Sequence, residues 1–253
     1  MLLFISPAKS LDFESDYSIG KSQLPHFLSE SEKVNRSLRK KSRKALRELQ
    51  GISQQLAELN YHRNQEWSTA HNTENARQAM LAFTGDVYQG LQATEWSGED
   101  AAFANEHLRI LSGLYGVLRP TDLVQPYRLE MGTRLKVGRR ENLYSFWGDK
   151  LKSYFKENID PGTPVVNLAS QEYFKAVETA GVPNPVVEVT FKDYSKGDYK
   201  VVSFFAKKAR GLMANFIIRH RLTEPEKMKM FDEEGYYFDD KESTQMHYVF
   251  LRD

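Results

Sequence analysis

Cysteine is absent from the 253 residues, and that removes several chemistries at once. A thiol peroxidase, a disulfide switch and a cysteine-ligated iron–sulfur cluster all need sulfur that this chain does not carry. Charge imbalance is missing too. Against 35 basic side chains stand 34 acidic ones, a net +1, so an anionic partner must be held by a local cluster. No apolar run approaches the roughly 20 residues that span a bilayer, and no membrane partner is expected. The opening MLLFI is too short for a signal-peptide core and has no basic flank before it, which makes the cytoplasm the expected location. The six histidines (His26, His62, His71, His107, His220, His247) form no HxxxH pair. None follows a Glu by three residues, as a ferritin-type di-iron helix requires, so neither a metal nor another cofactor is expected.

What is present is an ordinary globular composition, 40% hydrophobic and 27% charged, without repeats, low-complexity tracts or linkers. MLLFIS reads as a short buried strand ending at Pro7. Apolar residues from Leu28 to Tyr61 recur at helical steps, with Gly51 a potential break between two helices. The stretch RSLRKKSRKALR holds seven basic residues and no acid; it fits a solvated helix face or an accessory phosphate-binding surface. A second helix is expected over Glu74–Phe83. A third starts near Glu99 and carries Phe103, Leu108 and Leu111. NLYSFWGDKLKSYF is amphipathic and predicts a core helix. VVNLAS predicts a strand running into the helix QEYFKAVE with Ser170 as its N-cap. VVEVTFKDY and YKVVSFFA predict a hairpin, Thr223 to Glu226 a capping box, and YYF with HYVFL a last hairpin. Strands and helices mix without a strict βαβ rhythm. The expectation is therefore one α+β domain over residues 1–253, a mixed sheet surrounded by helices.

Three segments share a grammar: FISPAK, VNLASQEY and FFAKKARG each take an apolar strand into a small or basic turn. Carboxyl ends of strands, with helix starts beside them, commonly form anion sites. Convergence of these ends would bring Lys9, Lys207, Lys208 and Arg210 to one wall with Ser6 and Ser170; otherwise each side chain enters water alone. Convergence would also account for three cations at the expected start of a helix, where the backbone is already positive. Ser6 and Lys9 match S-x-x-K, but the partner motifs S-D-N and K-T-G are missing, as are P-loop, G-x-G-x-x-G and G-x-S-x-G patterns. LRILSGLYGVLRP has the ingredients of a helix-hairpin-helix. In such an element, turn amides hold a DNA phosphate without reading sequence. Ser112, Gly113, Leu114, Tyr115 and Gly116 would form the turn, with Arg109 and Arg119 flanking it. Its two glycines stand two residues apart rather than one. A packed turn between core helices is the competing reading.

The chain resembles the peroxide-stress resistance family YaaA over nearly its whole length. The resemblance rests on ISPAKSLD, NARQAMLAFTGDVYQGL, LSGLYGVLRPTDLVQPYRLEMG, FWGD, VNLASQEYFK and SFFAKKARGLMANFII. It implies a bacterial, cytoplasmic protein linked to survival under hydrogen peroxide, with lower free iron and less oxidative DNA damage. It implies DNA binding, an unusual α+β fold, a helix-hairpin-helix and a basic cleft. Matched positions place the hairpin at Ser112–Gly116 and the cleft at Lys9, Arg128, Lys207, Lys208 and Arg210. Two functions follow. The first is a non-enzymatic protein that binds DNA largely without sequence preference. The alternative is an enzyme acting on a small anionic substrate in the same cleft, with Ser6, Lys9, Asn167, Ser170, Tyr173 and Lys207 supplying polar groups.

Overall fold

Near-unbroken apolar stretches such as LLFI and VVNL suit strands covered on both faces, and both lie at the centre of the sheet. The computed structural model describes residues 1–253. In chain order come β1 (Leu2–Ile5), β2 (Ser10–Leu11), α1 (Leu28–Arg39), α2 (Arg43–Gln50), α3 (Gln54–Glu66), β3 (Arg77–Gln78), α4 (Ala79–Ala82) and β4 (Phe83–Thr84). Then follow α5 (Asp86–Leu91), α6 (Gly98–His107), β5 (Leu108–Ser112), β6 (Gly116–Leu118), β7 (Leu123–Val124), α7 (Leu143–Asn158) and β8 (Val165–Leu168). The rest is α8 (Gln171–Ala180), β9 (Val186–Ser195), β10 (Asp198–Lys200), α9 (Ser203–Arg219), β11 (Tyr237–Phe238) and β12 (His247–Arg252).

Eight strands form one mixed sheet in the order β11-β12-β9-β8-β1-β5-β6, with β10 also pairing β9. The pairs from β12 through β9, β8 and β1 to β5 are parallel; β5–β6, β11–β12 and β9–β10 are antiparallel. This is the expected α+β architecture. From β1 the chain goes to β5 on one side and later returns to β8 on the other. Strand order therefore reverses at β1 and β8, and a crevice opens beyond their carboxyl ends.

One helix contact sets the walls of that crevice. Helices α5 and α9 cross with their backbones touching. A Cβ on Gly211 would lie 1.9 Å from the Val87 carbonyl oxygen, and one on Gly90 would lie 2.2 Å from that of Lys208. Only hydrogen fits at either position.

Several local expectations need correction. The expected helix over 74–83 is β3, the single turn α4, and β4. There the amides of Ala79 and Met80 bond the carbonyls of Asp122 and Pro120 instead of a preceding turn. Ala79 to Phe83 is apolar and buried on every side, so its pattern could not choose a helix face. The basic helical run breaks twice, at Lys40–Ser42 as well as at Gly51. The segment Ser203–Phe205 is the first turn of α9 and not strand, because β10 stops at Lys200. Thr223–Glu226 makes no capping box. Pro225 starts a 3-10 turn, and the Glu226 carboxylate accepts from the Tyr248 hydroxyl at 3.0 Å instead.

The expected helix-hairpin-helix at 108–119 is a β-hairpin. Helix α6 ends at His107, and Leu108–Ser112 pairs parallel with β1 and antiparallel with β6. Leu108 and Leu111, three apart, imitate helical spacing, but every residue of the segment is buried, as in a central strand.

Candidate functional site

Of the three segments that end in small or basic turns, two do come from strand ends. Ser6 to Lys9 follow β1, and Ser170 follows β8. Lys207 and Arg210 reach the same crevice from the second and third turns of α9. They lie beyond the first turn, where the helix dipole acts most strongly, so the apparent electrostatic conflict at the helix start does not arise. Together they line a recess of about 440 Å³, with Gly85, Asp86 and Val87 from the start of α5, which packs against α9.

Hydrogen bonds tie the two strand ends together. The Ser170 amide donates to Ser6 Oγ at 2.8 Å, and Ser6 Oγ lies 3.3 Å from Ser170 Oγ. The Tyr88 hydroxyl donates to the Ser6 carbonyl at 3.2 Å. Ser170 occupies the N-cap position of α8, but its hydroxyl does not cap the helix, and the amides of Gln171 and Glu172 have no acceptor in the chain. Asn167, in β8 one residue before Leu168, does not line the recess. Its Oδ1 accepts from Ala169 N at 2.9 Å, and its Nδ2 donates to Glu188 at 2.8 Å. Burial pushes Glu188 above the ordinary carboxyl range. Burial also raises Tyr173 well above an ordinary phenol, with Tyr127 and Glu172 adding to the effect. That hydroxyl therefore stays protonated.

The recess is less basic than the cation list suggests. Lys9 Nζ pairs with Glu130 Oε1 at 3.1 Å, and Arg128, which does not line the recess, holds the same oxygen at 3.0 Å. Lys208 turns away to pair with Glu234. Glu172 Oε1 accepts from the Gly132 amide at 2.9 Å. The S-x-x-K match has no catalytic geometry, since Lys9 is engaged by Glu130 and Ser6 Oγ faces Ser170.

The other expected residues lie elsewhere. Ser112, Gly113, Leu114, Tyr115 and Gly116 are all buried. Ser112 Oγ accepts from the Tyr115 amide at 3.0 Å and contacts the Tyr127 hydroxyl at 2.7 Å; the Gly113 carbonyl accepts from Trp147 Nε1 at 3.0 Å. The Tyr115 hydroxyl accepts from Trp67 Nε1 at 2.8 Å and from the Gln125 amide at 3.1 Å. Arg109 is buried as well, donating to the Tyr154 hydroxyl at 2.9 Å and to the Asn105 carbonyl at 2.8 Å. Arg119 donates to Gln23 Oε1 at 2.7 Å. This turn holds the core together and offers no surface to a duplex.

Two helices joined by a short turn stand at another place. Helices α2 and α3 are joined by Gly51, Ile52 and Ser53. Gly51 adopts the left-handed region (φ 60°, ψ 41°) that favours glycine, and Ile52 N bonds back to the Arg47 carbonyl at 3.2 Å. Ser53 caps α3 by accepting from Leu56 N at 3.2 Å. The amides of Ser53, Gln54 and Gln55 have no acceptor in the chain, and all three residues are exposed. Leu46, Ile52 and Ala57 fill the space beneath, and Arg43 binds Glu58 while stacking over Tyr61 at 4.1 Å. Lys40, Lys44 and Arg47 are exposed, Lys41 is half-buried, and none has an ion-pair partner; Lys44 and Arg47, three apart, share a helix face. The turn end of α2 is tied to the segment that carries Glu130, because Gln50 Nε2 donates to the Arg128 carbonyl at 2.8 Å. The signal for it is in the sequence: Gly51-Ile52-Ser53 keeps the Gly-apolar start of a hairpin turn, next to the basic run.

Fold and site together define an α+β protein with a polar recess at the switch point of its sheet and an exposed helix pair, α2–α3, elsewhere on its surface. Residues 1–242 match the family described as peroxide stress protein YaaA, and the chain belongs to that family. No helix is long and apolar enough to cross a membrane.

Proposed function

We propose that this peroxide stress protein binds DNA, gripping backbone phosphates through the α2–α3 hairpin without reading sequence. One observation carries the reading: the amides of three consecutive exposed residues, Ser53, Gln54 and Gln55, are left unpaired where a helix begins, with Arg47 near the turn and Lys44 one helical turn further back along α2, neither of them in an ion pair. Free amides at a helix start suit a phosphate, and lysines and arginines along α2 suit its neighbours on the strand. The recess does not serve a duplex, since about 440 Å³ holds a small molecule and not a double helix. Bound protein would cover the sugar–phosphate backbone against radicals formed from peroxide and free iron. Iron is in this reading the co-reactant of peroxide and not a ligand of this chain.

Salt dependence tests the interface. If Lys40, Lys41, Lys44 and Arg47 each neutralise one phosphate, log affinity falls with log salt at a slope of about −3 to −4, and Lys44→Ala with Arg47→Ala flattens it by roughly 2 units. An unchanged slope in that double variant, read by fluorescence anisotropy on a labelled duplex, removes the hairpin from the interface. Nicking of supercoiled plasmid by ferrous iron and peroxide should be slowed by the parent protein and less by the variant.

A further inference from the structure

Two cations on the recess lining have no direct partner within the chain. Lys207 and Arg210 are one helical turn apart on α9, both line the recess, and neither makes an ion pair or hydrogen bond within the chain. Lys9 and Lys208, by contrast, are each engaged by a glutamate. Burial works against the charge of the half-buried Arg210, and the Glu188 carboxylate only partly offsets it. An arginine stays ionised in such a place, so the unpaired guanidinium is a standing cost that a bound anion would relieve. Ser6 and Ser170 also line the recess with hydroxyls, and Glu172 lines it too; its amide at the start of α8 has no acceptor in the chain. A third side holds Asp86, whose carboxylate has no partner in the chain.

We propose that this recess binds a small phosphate monoester bearing hydroxyl groups, of the sugar-phosphate kind. A phosphate monoester carries close to two negative charges near neutral pH, which matches two unpaired cations better than a single carboxylate does. Arginine and lysine together supply a planar fork and a point charge, the usual combination around a phosphate. The volume of about 440 Å³ falls within the range of small-molecule sites. The carboxylates of Asp86 and Glu172 accept hydroxyl hydrogens, which a sugar has and inorganic phosphate largely lacks. Tyr173 is the only aromatic ring on the lining, so a nucleobase finds no pair of faces to slide between. The location is also the one that open sheets with parallel strands use for ligands, beyond the carboxyl ends where strand order reverses.

The test uses the full chain and ³¹P NMR line broadening, with ribose 5-phosphate as probe and with ribose and malate compared by competition. Ribose 5-phosphate should broaden at millimolar concentration or below, ribose should not displace it, and malate should displace it only weakly. Lys207→Ala and Arg210→Gln should each weaken binding by at least about tenfold, the usual loss when one charge-assisted hydrogen bond is deleted. Lys207 is exposed, so its variant keeps the test open if the Arg210 variant fails to fold. No broadening up to about 10 mM, unaltered binding in the Lys207 variant, or malate binding as tightly as the phosphate would overturn the proposal. Lys44→Ala with Arg47→Ala should leave ribose 5-phosphate binding intact. Loss of DNA binding in that variant with no sugar-phosphate binding in the parent would sink this inference alone; the reverse pattern would sink the DNA reading alone.

Discussion

Two glycine-containing turns in this protein have opposite fates. The turn from Ser112 to Gly116 joins β5 and β6 in the core. Its Tyr115 amide bonds Ser112, its Gly113 carbonyl bonds Trp147, and no residue of it reaches solvent. The turn from Gly51 to Ser53 joins α2 and α3 at the surface and leaves three amides unpaired. Both combine glycine with small and apolar residues, and both have arginines nearby. Local composition does not separate them. What separates them is the neighbours: Leu108–Ser112 has a strand on each side, whereas α2 and α3 mainly cover one another. A turn amide is available to a ligand only where the fold has not already used it.

The comparison can be broken hardest at Trp147. Its ring is fully buried against Gly116, so Trp147→Ala should cost about 3–5 kcal/mol of stability in urea unfolding. The folded fraction should bind DNA as the parent does; a lost salt slope in that fraction would tie the buried turn to the interface after all.

His71 offers a second test on the same side. Its Nε2 lies 3.0 Å from the Tyr115 hydroxyl, and burial lowers its pKa to about 4. The unfolded chain takes up this proton near pH 6.5 and the folded chain only near 4, so stability from this group is complete above about 6.5 and is lost as pH falls toward 4. The loss should reach up to roughly 3 kcal/mol across that window. Buried Asp122, raised to about 7, works in the opposite direction. The measurement is therefore a difference: denaturation of His71→Phe against the parent from pH 7 to 4.5, with the variant showing the shallower acid loss. Parallel curves would mean that His71 is protonated in the folded state.

The smallest effect belongs to the exposed turn. Gly51→Ala places a side chain in left-handed backbone at a cost of about 1–2 kcal/mol, with open space around the new methyl group. Thermal unfolding should move by only a few degrees, while DNA affinity drops further than that strain accounts for, because the amides of Ser53 to Gln55 lose their alignment. Equal affinity in the variant and the parent would show that the turn is scaffolding.

The sheet centre was legible because LLFI and VVNL are apolar in unbroken runs, and α7 because Leu143, Phe146, Trp147, Leu151, Tyr154 and Phe155 recur at helical steps and are buried. The meeting of Ser6, Lys9 and Ser170 followed from strand ends, whereas Lys207 and Arg210 join them from within α9, where a strand end was expected. Other features needed the tertiary structure. Residues buried all round, such as Ala79–Phe83 and Leu108–Ser112, carry no periodicity that reports which element contains them. Nothing in KKAR distinguishes Lys207, which lines the recess, from Lys208, whose partner Glu234 lies 26 residues away. Gly51-Ile52-Ser53 was readable as a break but lay outside the blocks that carry the family resemblance.

The contact between Gly90 and Gly211 has a further meaning. With no side chain between the helices at that seam, backbone meets backbone, and the Asp86 side and the Arg210 side of the recess are set by one direct contact. Whatever enters between them meets a cup already shaped, and the cost of arranging it has been met during folding and not at the moment of capture.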